Sequence, residues 1–367
     1  MNPYYNESAF LQDLAILVNT DSGTGTVEGI DKIANFMMKK YADLGMWTEK
    51  KTFRADLGPC VEARNHPKSR EIDLLLIGHM DTVFPVGTAA ERPLTVDGNR
   101  VLGPGAADMK SGTLLCTCLA AFVQAERPEL KLCIAHNCDE EIGSPSSDAW
   151  IRELASHATY CFDLEPGRSD GSYVKTRKGV CRLSIKLHGK SAHAGVNPDD
   201  GASAVVELAK WICRFADPAR RDNGYRVNFG VIKGGTAYNV VPDSAECDVD
   251  IRFDTPEDLQ EAMAQFDVLR QHPFDQNVTA EIAITGQTPP MVATENSKRL
   301  MRLLEEEGSL LDVDVKFVGT GGGSSGGAAA IDACGPVCFY MHDAREYFLL
   351  DTVEPRLQLL MNVIQKL

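Results

Sequence analysis

The chain has 367 residues, 44% hydrophobic and 24% charged, the balance of an ordinary globular protein with room for two domains rather than of a disordered, collagenous or coiled-coil one. Lys and Arg number 37 against 52 Asp and Glu, a formal charge of -15, which disfavours binding to nucleic acid through phosphate neutralisation and binding to anionic membranes. The 11 cysteines include no CxxC pair, so a zinc ribbon or a thioredoxin-type redox site is excluded and buried, reduced thiols in a cytoplasmic protein are expected.

The opening segment MNPYYNESAFLQDLA has no basic stretch followed by an apolar one, so no signal peptide is expected. Nor does any apolar run approach the ~20 residues of a membrane span. Phe10, Leu14, Leu17 and Val18 share one helical face, and Ile30, Ile33, Met37, Tyr41 and Leu44 share another, with Gly45 as the stop. An α/β pattern follows. Leu74–Ile77, Leu132–Ala135 and Tyr160–Leu164 read as short strands buried on both faces. Ser111–Gln124 and Ser147–Leu154 read as the helices between them, which predicts a parallel sheet covered on both sides.

From about residue 177 the period changes. Cys181, Leu183, Ile185 and Leu187 alternate with polar residues, as do Ala245, Cys247, Val249, Ile251 and Phe253. With strands at Tyr225–Ile232 and Val278–Ile284 and helices at Ala202–Phe215 and Pro256–Leu269, the order is β-α-β-β-α-β, a ferredoxin-like arrangement. The α/β pattern then resumes: a helix at Ser297–Glu307, a strand at Val313–Val318, a Gly-rich loop, an Ala-rich helix, a strand at Val337–Tyr340 and a last helix at Pro355–Gln365. The expected architecture is therefore an α/β domain, 1–176 and 288–367, interrupted by an α+β domain, 177–287.

Chemistry gathers behind the strands of the α/β domain. His79 and Asp81 follow the first; Asp139, Glu140 and Glu141 the second; Glu165 the third; His342 the strand at Val337–Tyr340. Ligands bind at the carboxyl ends of such strands, and Asp108, in a Gly-rich turn before a helix, reaches the same rim. Imidazoles with carboxylates and no thiolate suit zinc, or manganese or cobalt, held for catalysis. Five ligands with one shared carboxylate suit two metals about 3.5–4 Å apart. Asp81 is placed to accept the second N–H of His79 and fix its tautomer. The adjacent Glu140 and Glu141 would repel unless a cation lies between them or one is protonated, and the natural division gives one to the metal and the other to general-base work. Singly, each of these residues has a commonplace structural explanation; four strand ends together do not. His66, His136, His157, His188 and His272 are assigned structural positions.

HMDTV, GPGAADMKSG, DEEIGS, LEPG and the late histidine, in this order, resemble the dinuclear zinc peptidases and deacylases of clan MH over nearly the whole chain. LVNTDSGTGTVEGI, the GPG opening and FDLEP resemble the bacterial glutamate carboxypeptidase (carboxypeptidase G) branch in particular. The resemblance implies a zinc-exopeptidase-like α/β domain with an inserted ferredoxin-like lid and dimerisation domain. It implies two Zn2+ per chain, with Co2+ or Mn2+ as alternatives: His79 and Glu165 on one, Glu141 and His342 on the other, Asp108 bridging. Glu140 matches the general base, and Asp81 the carboxylate that orients His79. In the inserted domain, His193 of KSAHAG matches a histidine that reaches the neighbouring subunit's site, Asn239 of GGTAYNVVPD a substrate contact, and Arg252 of VDIRFD the receiver of the substrate carboxylate. An arginine can clamp a carboxylate bidentately and a histidine N–H can stabilise an oxyanion; on the residues alone Arg252 reads rather as a surface ion pair with Asp248, Asp250 or Asp254.

Two departures from the family pattern stand out. Gly326 follows Ser325 where the family has Asp or Asn, and HDAREYF is slightly shorter than the usual stretch after the last histidine. The implied function is zinc-dependent hydrolysis of a small peptide or N-acyl amino acid at an amide next to a free carboxylate, in a cytoplasmic homodimer. The alternatives are an N-acyl amino acid deacylase of the acetylornithine or succinyl-diaminopimelate type, and a non-catalytic metal-binding homologue, against which the complete ligand set and Glu140 argue.

Overall fold

The computed structural model describes residues 2–216, 224–321 and 330–367. They form two compact units. The first runs to Thr176 and resumes with Ala293–Gly319 and the segment ending at Leu367; the second is Arg177–Val292 with a short segment from Thr320.

The first unit is built on a six-stranded sheet in the order Trp47–Lys51, Cys60–Arg64, Leu132–Asn137, Ile72–His79, Ala158–Asp163, Ala330–Ile331. The last four are parallel. Leu74, Leu75 and Leu76 are fully buried, which is why the run has no alternation. Helices Val27–Asp43, Gly112–Glu126, Asp148–Ser156 and Glu295–Leu310 pack on its strands. The segment Ala106–Glu126 is long and apolar enough to cross a membrane, contrary to the reading of the sequence, but 83% of it is buried inside the protein, as befits a core helix.

Four further expectations need correction. Trp47–Lys51 and Cys60–Arg64 form an antiparallel hairpin, with Cys60–Arg64 pairing antiparallel to Leu132–Asn137, so the sheet is mixed. The strand near Val337 shrinks to Cys338–Phe339 and lies outside the central sheet, in an antiparallel sheet with Tyr347–Leu349, Arg100–Leu102 and Thr95–Asp97. Val313–Val318 becomes Phe317–Thr320, and of the expected Ala-rich helix, whose first residues lie outside the described ones, Ala330–Ile331 is an edge strand. Gly326 and most of the Gly-rich loop lie outside the described residues.

The second unit is a four-stranded antiparallel sheet ordered Tyr225–Gly234, Ser244–Phe253, Gly179–His188, Thr279–Thr288, the ferredoxin-like order. Its core joins the alternating residues Leu183, Ile185, Val249 and Ile251 to Trp211 and Phe266 of helices Ala204–Phe215 and Pro256–Gln271. Thr255 caps the second helix reciprocally with Asp258. The chain enters and leaves this unit side by side, for Arg177 and Met291 exchange both main-chain hydrogen bonds at 3.0 Å.

Candidate metal centre

His79 is the last residue of its strand, level with Asn137 of the parallel neighbour. Beyond Asn137 the chain turns through the short helical turn Glu140–Ile142. On the other side Ala158–Asp163 runs parallel and leads to Glu165. Three parallel strands thus deliver His79, Glu140, Glu141 and Glu165 to one rim. Asp108 reaches it from the turn Ala106–Ser111, in which Asp108 and Met109 have non-helical dihedrals. The turn can approach because Gly112 follows it: a Cβ there would lie 1.9 Å from the Leu164 carbonyl oxygen. His342 arrives from the antiparallel sheet on a left-handed residue, φ 62°, a strained setting of the sort kept at functional sites.

Asp108 divides its oxygens between the two imidazoles. Oδ1 lies 3.2 Å from His79 Nε2, and Oδ2 lies 3.3 Å from His342 Nε2. Glu165 Oε1 stands 3.7 Å from His79 Nε2, and Glu141 Oε2 stands 3.0 Å from His342 Nε2. Donor atoms of His79, Glu140 and Glu165, and of His79, Asp108 and Glu141, lie within 4.8 Å of one another. All seven residues expected here from the first unit are brought together.

The electrostatics call for a cation. Burial, with Asp108, Glu141 and Asp81 as like-charged neighbours, raises the Glu140 carboxyl to about 7 against the pull of His79. Glu165 is raised well above the usual carboxylate range, first by burial and then by Asp108 and Glu140. Burial disfavours a charged His79, yet Glu165, Asp108 and Asp81 together hold its pKa well above the ordinary imidazole value. His342 is raised to about 10 by its bonds to Asp108 and Glu141. Protons are thus favoured on Glu140, Glu165 and the two imidazoles, while His342 and His79 overcome burial and hold the Asp108 carboxyl well below the usual carboxylate range. Glu141 Oε1 is also buried without a hydrogen-bond partner among the described residues. Imidazole nitrogens and carboxylate oxygens around such an orphan fit a divalent zinc-like ion.

Asp81, fully buried, does more than orient His79. Its Oδ1 accepts the Glu140 N–H at 3.1 Å, and its Oδ2 accepts the Glu141 N–H at 3.2 Å and the Thr24 hydroxyl at 2.7 Å. The nearer partner of His79 Nδ1 is the Asp81 main-chain oxygen at 3.0 Å, with the carboxylate at 3.4 Å. Thr24 belongs to LVNTDSGTGTVEGI, a segment that enters the resemblance without a role for this hydroxyl. Thr113, which donates to the His79 carbonyl at 2.9 Å, sits within a helical pattern; neither carries a sequence signal of its own.

The other three residues lie in the second unit. His193 pairs with Val240 in a two-residue ladder, and the Ala194 N–H donates to the Asn239 carbonyl at 3.0 Å, so His193 and Asn239 are neighbours. Both are exposed. Arg252 Nε lies 2.7 Å and Nη2 3.2 Å from the two oxygens of Asp250, and Nη1 donates to the Gly321 carbonyl at 3.2 Å. The ion pair that the sequence allows is thus present, with Asp250 as the partner.

Residues 175–277 match the family model of the M20 peptidase dimerisation domain. Carboxypeptidase G2 of Pseudomonas sp. (strain RS-16) is 29% identical over 376 residues, spanning 98% of this chain and 90% of that protein. Among solved structures, aminopeptidase PepT from Bacillus cereus superposes with a TM-score of 0.82 at 19% identity, covering 99% of each chain. YXEP of Bacillus subtilis, a dinuclear metal-binding peptidase of the M20 family, superposes with a TM-score of 0.70 at 14% identity, covering 98% of each.

Proposed function

We propose that this chain, matched at 175–277 by the M20 peptidase dimerisation domain and 29% identical to carboxypeptidase G2 over 98% of its length, is a zinc-dependent exopeptidase of the glutamate carboxypeptidase type, cleaving an amide next to a free carboxylate. The observation that carries the reading is Asp108, whose two oxygens face two imidazoles at 3.2 and 3.3 Å while Glu140, Glu141 and Glu165 close in around them.

His79 and Glu165 would hold one cation and His342 and Glu141 the other, with Asp108 available to both. Bound there, the cations supply the positive charge that polarises the scissile carbonyl and acidifies water. Glu140 takes the proton of the attacking water on its carboxylate and returns it to the leaving amine. Asp81 holds the amides of Glu140 and Glu141, so base and ligand keep their places as the proton moves. From the resemblance, His193 is assigned to the oxyanion and Arg252 and Asn239 to the substrate carboxylate; Arg252 would exchange its bond with Asp250 for one with substrate. The dimerisation-domain match supports a homodimer formed through the second unit.

The test is metal analysis followed by a hydrolysis panel of acyl-glutamates, dipeptides and acyl-ornithines. Up to two zinc ions per chain, loss of activity on chelation and its return with zinc are expected, with acyl-glutamates cleaved best. Full activity in metal-free protein would end the reading, and a preference for acyl-ornithines would turn it to a deacylase.

A further inference from the structure

Glu346 lies in the segment between His342 and the Tyr347–Leu349 strand, in a stretch whose chemistry the site above does not use. It is 1% exposed. Its Oε1 accepts the N–H of Ala107 at 2.8 Å and of Asp108 at 3.0 Å, and its Oε2 the N–H of Gly105 at 3.4 Å. A carboxylate this deep persists only when hydrogen-bonded, and all its donors among the described residues are main-chain amides of one turn. That turn is the one that presents Asp108. These amides stand at the start of the turn Ala106–Ser111, where a helical segment has no internal carbonyl to offer them. The same two segments are also joined at their roots, where Tyr347 pairs with Leu102.

We propose that Glu346 is a positioning residue for the metal centre: by gripping the amides of the Asp108 turn from the segment that carries His342, it locks the carboxylate of Asp108 and the imidazole of His342 into one geometry. The proposal rests on reading Asp108 and His342 as metal ligands. It makes the two cations unequal. The one held by His342, Glu141 and Asp108 takes two of its ligands from the gripped segments. The one held by His79 and Glu165 shares only Asp108 with the gripped turn and takes its other two ligands from strand ends that Glu346 does not touch. Removing the grip should therefore release one ion before the other.

The experiment is zinc binding to the full-length protein in competition with a chromophoric chelator, together with the visible spectrum after titration with Co2+. Glu346→Ala should weaken one of the two zinc ions by about 10–100-fold, the range for loss of a partner behind a metal ligand, and change the spectrum of one cobalt equivalent while the other ion changes little. Glu346→Gln keeps an oxygen for Ala107 and Asp108 and should recover most of that affinity. Should the alanine variant not fold, Glu346→Asp replaces it: the charge stays, but the side chain is one methylene too short to reach the turn, and the same loss is expected. Glu62→Gln, at another buried carboxylate held by Arg64 and Trp150, serves as the control and should leave both affinities unchanged. Wild-type affinities and spectrum in folded Glu346→Ala or Glu346→Asp, or an equal loss in Glu62→Gln, would overturn the proposal. A wild-type protein that binds no zinc would instead overturn the reading of the centre itself.

Discussion

Replacing Asp81 by Asn changes one oxygen for an amino group and leaves the volume almost untouched, so the cost can be worked from the donors around it. If the new amino group takes the Oδ1 position, it faces the Glu140 N–H and the His79 ring nitrogen. If it takes the Oδ2 position, the Thr24 hydroxyl can turn round and accept from it, and only the Glu141 N–H is stranded. The second orientation is the cheaper. A stranded buried donor costs ~1–3 kcal/mol, and each surviving bond drops from the charge-assisted to the neutral range, a further ~1 kcal/mol. Removing one negative charge from a crowded acidic site works the other way. The net is a destabilisation of about 2 kcal/mol, which at ~1–2 °C per kcal/mol for a chain of this length lowers the melting temperature by about 2–4 °C. The assay is thermal unfolding of chelator-treated protein, so that metal affinity does not enter. Thr24→Ala should cost about 1 kcal/mol in the wild type and less in the Asn variant, because the hydroxyl's bond is then neutral. A melting temperature within ~1 °C of wild type for Asp81→Asn would refute this account of the turn that carries Glu140 and Glu141.

Glu140→Gln should fold and keep its zinc while kcat falls by about 10²–10⁴; loss of metal instead would exchange the roles of Glu140 and Glu141. In metal-free protein the bonds of His342 to Asp108 and Glu141 raise its pKa from 6.5 to about 10. A raised folded-state pKa gives stability that is complete below about 6.5 and lost as pH rises through about 10. The melting-temperature gap between wild type and His342→Gln, both without metal, should therefore narrow across that window; a gap independent of pH would count against the assignment. For His193, a His193→Ala chain and a Glu140→Gln chain should each be nearly inactive. Mixed and reassembled, they should recover part of the activity, since half the sites of a heterodimer with crossed contributions are intact. No recovery in proven heterodimers would place His193 elsewhere.

The parallel core was legible because its strands are buried on both faces and read as unbroken apolar runs, with the reactive residues immediately behind them. The antiparallel hairpin at Trp47–Arg64 was not. WTEKK has charges on successive residues of an edge strand, and CVEAR contains Glu62, which is buried but bonded to Arg64 and Trp150; a satisfied buried charge looks like surface in a sequence. His342 was legible as a residue but not by its route. Strand Cys338–Phe339 pairs with Tyr347–Leu349 rather than with the central sheet, a choice that two residues of pattern cannot encode. Thr24 and Glu346 act on main-chain amides or on another side chain's oxygen, and long-range bonds of that type leave no periodicity to read.

The paired entry and exit of the second unit has a consequence for how such a protein could be cut or assembled. Opposed residues of a hydrogen-bonded antiparallel pair have Cα atoms about 5.5 Å apart, so Arg177 and Met291, which bond in this way, bring the two ends of more than a hundred residues within the reach of a two-residue turn. Deleting everything between them and splicing in Asn-Gly would add almost no loop-closure entropy to the host. By the same token, a sheet of foreign origin with adjacent termini could be set in that place without stretching the parallel core. On this view the junction is a socket: a genetic insertion or excision there exchanges the second unit as a whole and leaves untouched the sequence of the strands that bear the carboxylates.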